Sequence, residues 1–184
     1  MRVFQLVFAL ALVSLAAFGQ TVRARHYSNS LAPYVVSPQA VVDRMLELAE
    51  LKPNETLYDL GSGDGRILIT AAQRYHAKAI GVEISEFLVN STNASIGRLG
   101  LQNLARVIHG DLLQVDLSPA DVVTIYLMTE SNNILRPNLE KYLRPGARVV
   151  SHDYAVPGWK PKFEEKTDRY AGDHKIYLYV MPRK

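Results

Sequence analysis

Apolar positions along this chain change period several times, and each change marks an element. Val3 to Phe18 is an apolar run interrupted only by Gln5 and Ser14. From Val41 the spacing turns helical. Val41, Val42, Met45, Leu48 and Ala49 share one face, behind Ser37-Pro38 read as N-cap and first helical residue. Lys52-Pro53-Asn54 closes that helix, and Thr56-Leu57-Tyr58 reads as a short buried strand. A helix follows through Gln73-Arg74-Tyr75. The alternation then repeats, with a strand at 79–84, a helix capped by Ser85 that runs to about Leu99, and a strand at 105–109. Residues 121–127 are nearly continuous in apolar side chains, as a central parallel strand should be. Residues 129–133 read as a polar loop, 134–143 as a helix and 147–151 as a strand. Pro137 must sit in that helix's first turn or kink it. Beyond Asp153 two strand-like runs, 163–170 and 175–181, form a hairpin. Strands alternating with helices predict an α/β fold, a doubly wound, Rossmann-like, mostly parallel sheet. Five βα units and a C-terminal antiparallel hairpin bring it to seven strands.

Chemistry concentrates between the first strand and the helix after it, in Asp59-Leu60-Gly61-Ser62-Gly63-Asp64-Gly65-Arg66. Three alternating glycines let the backbone take positive φ and approach a ligand with no Cβ in the way. The next helix aims its free N–H groups at whatever fills the turn. Spacing narrows the ligand. A dinucleotide fingerprint is G-x-G-x-x-G, whereas this loop is G-x-G-x-G. A P-loop needs Lys and then Ser or Thr after the last glycine, and Arg66-Ile67 is neither. Glu83 ends the second strand 18 residues after Gly65, where a strand-tip acid accepts hydrogen bonds from ribose hydroxyls.

Composition changes this picture little. The chain has 184 residues, a net charge of +3 and no cysteine. Length fits one domain. Arg2, Arg23 and Arg25 lie in an N-terminal stretch without acids, so most of the imbalance is local and implies no nucleic-acid partner. Without cysteine there are no disulfides and no thiolate metal sites, and the five histidines show no ligand spacing, so no metal is expected. The run at 3–18 reads as a secretory signal peptide, with Ala17 and Gly19 as the small residues at the −3 and −1 cleavage positions, or as an uncleaved membrane anchor. The organisation is therefore a signal or anchor at 1–19, a lead-in at 20–36 and one domain at 37–184. The domain is expected to be exported, or held on the cytoplasmic side of a membrane.

The acid-then-G-x-G-x-G form resembles motif I of the class I S-adenosylmethionine (SAM) methyltransferases. The likeness widens through Ala-Pro-Tyr-Val-Val-Ser-Pro (32–38), Tyr-Leu (126–127), Leu-Arg-Pro-Gly-Ala-Arg-Val-Val-Ser-His-Asp (143–153) and Gly-Trp-Lys-Pro (158–161). In that order these look like the small protein-lysine methyltransferases that modify the adenine nucleotide translocase and the ATP synthase c subunit, and their short bacterial relatives. The likeness covers about 32–181. It departs at Val36-Ser37, where the family often has Pro-Thr, and at Glu83, where aspartate is common. It implies SAM as cofactor, a protein lysine as acceptor and no metal. It also implies that Asp111 and Leu112 meet the adenine ring and that Tyr34 covers the cofactor. Asp59, Gly61, Ser62, Gly63, Gly65 and Glu83 complete the expected cofactor site.

A lysine acceptor must lose a proton, which costs about 4.6 kcal/mol at pH 7. A neighbouring sulfonium and partial desolvation both disfavour the ammonium. A side chain must then aim the lone pair. The candidates lie after strands 4 and 5, at the carboxyl edge of the sheet: Tyr126, Glu130, His152 and Asp153, with Trp159 as a possible wall. Two other readings remain open. One is a methyltransferase for a small molecule or RNA; the other is a non-catalytic domain that holds SAM as a sensor or scaffold.

Overall fold

The computed structural model describes residues 30–167 and 172–182. The proposed leader at 1–19 lies outside them. Among the described residues no helix is long and apolar enough to cross a membrane.

The apolar runs become the centre of one seven-stranded sheet. In chain order its strands are β1 (Thr56–Leu60), β2 (Lys78–Glu83), β3 (Ala105–His109), β4 (Val122–Ile125), β5 (Arg148–His152), β6 (Phe163–Thr167) and β7 (His174–Val180). Across the sheet the order is β3-β2-β1-β4-β5-β7-β6. The first five strands pair in parallel, and β7 enters antiparallel between β5 and β6. The order reverses at β1, between β2 and β4. In open α/β sheets that reversal leaves a crevice at the carboxyl ends of the strands.

Strand side chains alternate in direction, so each strand feeds two cores. Leu57, Val150, Ile176 and Leu178 pack with α1 (Gln39–Leu48), α2 (Arg66–Tyr75) and α3 (Glu86–Arg98). Tyr58, Val149, Tyr177 and Tyr179 pack on the other face with α4 (Thr129–Tyr142). The alternating tyrosines of β7 are thus core residues. Truncating a side chain such as Leu57, which has no solvent exposure, to Ala would cost about 2–5 kcal/mol.

Four details depart from the sequence reading. The β3-to-β4 connection holds only a 3-10 turn, Leu112–Gln114, and no helix separates β5 from β6, so fewer than five βα units form. Asp116, Ser118 and Pro119 leave the first of these connections no room for an apolar helical face. Second, α4 begins at Thr129 and takes in the segment read as a loop. Two of its polar residues, Ser131 and Asn132, are buried, and Asn132 donates to the Tyr154 carbonyl at 3.0 Å. Pro137 therefore lies inside the helix, where it cannot donate to the Asn133 carbonyl. Third, Pro38 occupies the N-cap of α1, and Ser37 turns its hydroxyl to His152 Nδ1 at 2.8 Å. Fourth, β7 begins at His174, one residue before the run read for it, and β6 is described over Phe163–Thr167, residues 168–170 of its run lying outside the described residues.

Candidate active site

The glycine loop is built against β2. The amides of Gly61 and Ser62 both donate to the Val82 carbonyl, at 2.9 and 3.1 Å. Glu83 accepts from the Gly63 amide at 2.9 Å with one carboxylate oxygen and from the Ser85 amide at 2.9 Å with the other. This acid fixes the loop and the entry of α3 together while it lines the cavity above them. Gly63 has φ +53°, and a Cβ there would stand 2.8 Å from the Tyr34 ring. Gly81, in the middle of β2, is a different case. A Cβ there would lie 2.5 Å from Ser62 Oγ and 2.6 Å from Leu68 Cδ1. The loop can rest on the strand only because position 81 has no side chain.

Above the carboxyl ends of β1, β2 and β4 lies a cavity of about 740 Å³, within the range of small-molecule sites. Its floor is the glycine loop. Its sides come from Glu83 to Leu88, Asp111, Leu112, Tyr126 and Leu127, and the lead-in at 30–37 forms its roof. Tyr34, 58% exposed, lies over Gly63. Burial against the loop and the nearby Asp64 carboxylate push its phenol pKa up. Asp111 lies at the cavity edge and caps the 3-10 turn by accepting from the Leu113 amide at 2.9 Å.

Asp59 is buried beside the loop and accepts from Thr124 Oγ1 at 2.8 Å. Burial pushes its carboxyl up to about 7 against the Thr124 hydrogen bond, with help from the charges of Glu83 and Asp64. A cation entering the cavity would favour its ionised form. The floor thus presents Gly63, bare of a side chain beneath the Tyr34 ring, together with a buried acid, Asp59, and the acids Glu83 and Asp111. A small cationic nucleoside such as SAM fits this set of groups.

On the far wall, Tyr126 lines the cavity and donates its hydroxyl to Asp153 Oδ2 at 3.1 Å. Burial, then the Asp153 carboxylate, push the phenol up to about 12, so it stays protonated. His152 lies behind it, fully buried, with ring centroids 3.9 Å apart. Burial drives His152 down to about 4, so the imidazole is neutral at pH 7. Asp153 feels the opposite balance. Burial opposes its charge, but the Lys175 amide, the two imidazoles and Tyr126 outweigh it and hold the carboxyl below the usual range. His152 and Asp153 are not part of the cavity wall and reach it through Tyr126 and, for His152, through Ser37. Glu130 is exposed in the first turn of α4, outside the wall, because the chain is already helical there. Trp159 also lies outside it, packed edge-on against Tyr179 and donating to Glu140 at 2.8 Å.

Sequence reasoning passed over Gly81, Ser37 and His174. Only Gly81 carried a signal, a glycine in the interior of a strand. The five histidines show no ligand spacing along the chain, yet the fold brings two of them beside one acid. Nitrogens of His152 and His174 and a carboxylate oxygen of Asp153 all lie within 4.8 Å of one another. Antiparallel pairing of β5 with β7 makes this cluster, and no spacing along the chain announces it.

Residues 59–163 match the family described as ANTKMT methyltransferase domain. A protein-lysine N-methyltransferase of Saccharolobus islandicus (strain REY15A) is 45% identical over 150 residues, 81% of this chain and 93% of that protein. The adenine nucleotide translocase lysine N-methyltransferase of Mus musculus is 34% identical over 139 residues, 74% of this chain and 60% of that longer protein. A crystal structure described as an RNA methyltransferase from Salinibacter ruber, in complex with S-adenosyl-L-homocysteine, superposes with a TM-score of 0.78 at 41% identity. The match covers 82% of this chain and 95% of that one. With the glycine cradle, the strand-tip acids and the sheet order, these matches show that the chain belongs to the ANTKMT methyltransferase domain family of SAM-dependent protein-lysine methyltransferases.

Proposed function

We propose that this chain transfers the methyl group of SAM to the ε-amine of a lysine in a protein. The observation that carries the reading is the charge of the cavity. Among the described residues Asp59, Asp64, Glu83, Glu86 and Asp111 line it, against one cation, Arg66, whose guanidinium is paired with Asp64 at 2.5 Å. Such a mouth attracts a cationic acceptor and repels the phosphates of a nucleic acid. The match to 93% of the Saccharolobus protein-lysine N-methyltransferase supports the same acceptor.

SAM supplies a methyl carbon already activated by its sulfonium leaving group. The chain's part is position and exclusion of water. Asp59, Gly61, Ser62, Gly63, Gly65 and Glu83 would hold the cofactor from the floor, Asp111 and Leu112 from the side, and Tyr34 from the roof. Tyr126 is the residue placed to aim the amine. Its proton points to Asp153, so its free oxygen lone pair can accept a hydrogen bond from the acceptor nitrogen. Asp153 orients Tyr126, and the His152 ring packs against it.

A second reading is methyl transfer to RNA, favoured by the description given to the Salinibacter structure. Purified chain incubated with radiolabelled SAM and fractionated extract separates the two. Label in a protein band, mapped to lysine by mass spectrometry, is the expected result. Label confined to RNA would overturn the lysine reading. Binding of SAM with no transfer to any fraction would favour a sensor. The apolar run at 3–18 supports action at or across a membrane. The mass of the mature chain tests this, since a start near Gln20 means cleavage and retained Met1 means an anchor or an internal protein.

A further inference from the structure

Behind Tyr126, outside the cavity, β5 and β7 bring two imidazoles and a carboxylate to one point. His152 Nε2 and His174 Nδ1 are 2.9 Å apart. His174 Nδ1 to Asp153 Oδ2 is 3.3 Å, and His152 Nε2 to Asp153 Oδ2 is 3.4 Å. From this arrangement we infer a binding site for one divalent first-row transition ion, Zn²⁺ in the first place, held by His152, Asp153 and His174.

The edge lengths of the triangle support this. Ligand atoms about 2.1 Å from one ion stand roughly 3.0 Å apart on an octahedral face and roughly 3.4 Å apart on a tetrahedral face. The observed edges span that interval. An ion could therefore sit just off the plane of the three atoms with little movement of any of them. Two imidazoles and one carboxylate form a donor set suited to zinc, nickel or iron and poorly suited to calcium or magnesium.

Backbone and outer partners fit as well. Successive strand residues normally point to opposite faces, so His152 and Asp153 should diverge. Asp153 instead has φ +59°, in a three-residue turn closed by the Tyr154 amide donating to the His152 carbonyl at 2.7 Å. That turn brings the carboxylate back toward the histidine ring. The other ring nitrogen of His152 meets Ser37 Oγ at 2.8 Å. An N–H donated there leaves Nε2 as a lone pair aimed into the triangle, the arrangement that orients metal-ligating histidines. The second oxygen of Asp153 accepts from the Lys175 amide at 2.9 Å, and Tyr126 donates to Oδ2, so the carboxylate is held from both sides. An ion would displace the proton shared between the imidazoles and leave Tyr126 its acceptor. His152 is fully buried, while the His174 and Asp153 side chains are 17% and 22% exposed, which gives a path of entry.

The test uses the untagged full chain, stripped with EDTA and held at about pH 7.5, where free imidazole is neutral. Co²⁺ is titrated while visible d–d absorption is recorded, and Zn²⁺ is then followed by calorimetry and by thermal unfolding. One ion per chain, competition between the two metals and a rise in Tm with Zn²⁺ are expected. His174→Ala, at the exposed edge of the cluster, should lose more than about tenfold in affinity, and Ser37→Ala about tenfold as an outer partner. His174→Ala should still bind S-adenosylhomocysteine, and both variants should keep the wild-type circular dichroism spectrum, which reports that they fold. No binding by the wild-type chain would overturn the site and leave a hydrogen-bonded cluster. Equal binding by the wild type and the two variants would also overturn it, because the ion would then lie on other histidines. Neither result bears on which acceptor is methylated.

Discussion

Gly81→Ala separates the role of the loop from ordinary strand chemistry. On propensity alone the change should help, because alanine in a strand interior is worth about 0.5–1 kcal/mol over glycine. The structure reverses the sign. The added methyl would lie 2.5 Å from Ser62 Oγ, 2.6 Å from Leu68 Cδ1 and 2.7 Å from Ser62 Cβ. Leu68 has no exposure and Ser62 only 6%, so neither can swing into solvent. The Gly61 and Ser62 amides are tied to the Val82 carbonyl one residue further on, so the loop cannot lift without breaking them. Overpacking of this kind costs about 1–3 kcal/mol, which exceeds the propensity gain. For a domain of this size that is a fall in Tm of roughly 2–12 °C. The displaced loop pulls the Gly63 amide away from the Glu83 carboxylate on β2, so affinity for S-adenosylhomocysteine should drop at least about tenfold. Gly97→Ala is the internal control, since a Cβ there meets nothing within 4 Å and should stabilise α3 by about 0.5–1 kcal/mol. Differential scanning fluorimetry and calorimetry read both variants. If Gly81→Ala melts higher and binds normally, as Gly97→Ala should, the loop does not rest on β2 as described.

Gly63→Val meets both a positive φ and the Tyr34 ring, so calorimetry should show loss of S-adenosylhomocysteine binding beyond about a hundredfold, with the fold retained by circular dichroism. Tyr126→Phe removes the hydroxyl and should lower kcat about a hundredfold while the cofactor Kd stays within about threefold, measured by methyl transfer and calorimetry. Asp59 has a folded pKa of about 7, above its unfolded value near 3.9, so the folded chain holds this proton more tightly. Its contribution to stability is full below about pH 4 and is lost as pH rises toward 7, by an amount on the order of 4 kcal/mol at most. Asp59→Asn should flatten that part of the urea-unfolding profile, and an unchanged profile would refute the buried acid as its cause.

Strand positions were legible because each carries a run of apolar residues that no exposed segment would need. Asp121 to Leu127 could be nothing but a central strand, and β4 lies there between β1 and β5. The cofactor floor was legible because alternating glycines and strand-tip acids have few other uses. The acceptor side was not. Glu130 was chosen for its place after strand 4, but the chain is already helical at Thr129 and the carboxylate points to solvent. The polarity of Ser131 and Asn132 suggested a loop because sequence does not say which polar groups will find buried partners. Here they do, since Ser131 donates to the Leu31 carbonyl and Asn132 to the carbonyls of Tyr154 and Ala155. His174 was invisible for a related reason, since only the pairing of β7 with β5 brings it to His152.

Ser37 shows how such pairings organise the site. As a helix cap it would have closed α1 and done nothing else. Instead its carbonyl accepts from Arg66 Nη1 at 2.7 Å, and its hydroxyl meets His152 at 2.8 Å. Arg66 is itself held by Asp64, inside the glycine loop. One residue therefore joins the cofactor floor to the cluster behind Tyr126. It also pins one end of the cavity roof, whose other end is pinned where Leu31 accepts from Ser131. Between these points Tyr34, Val35 and Val36 are 58%, 58% and 43% exposed. A strap fixed at both ends and poorly packed in the middle yields first at its middle. That middle carries Tyr34, the side chain lying over Gly63. Moving Tyr34 would therefore uncover Gly63 without releasing the residues that align the floor with Tyr126.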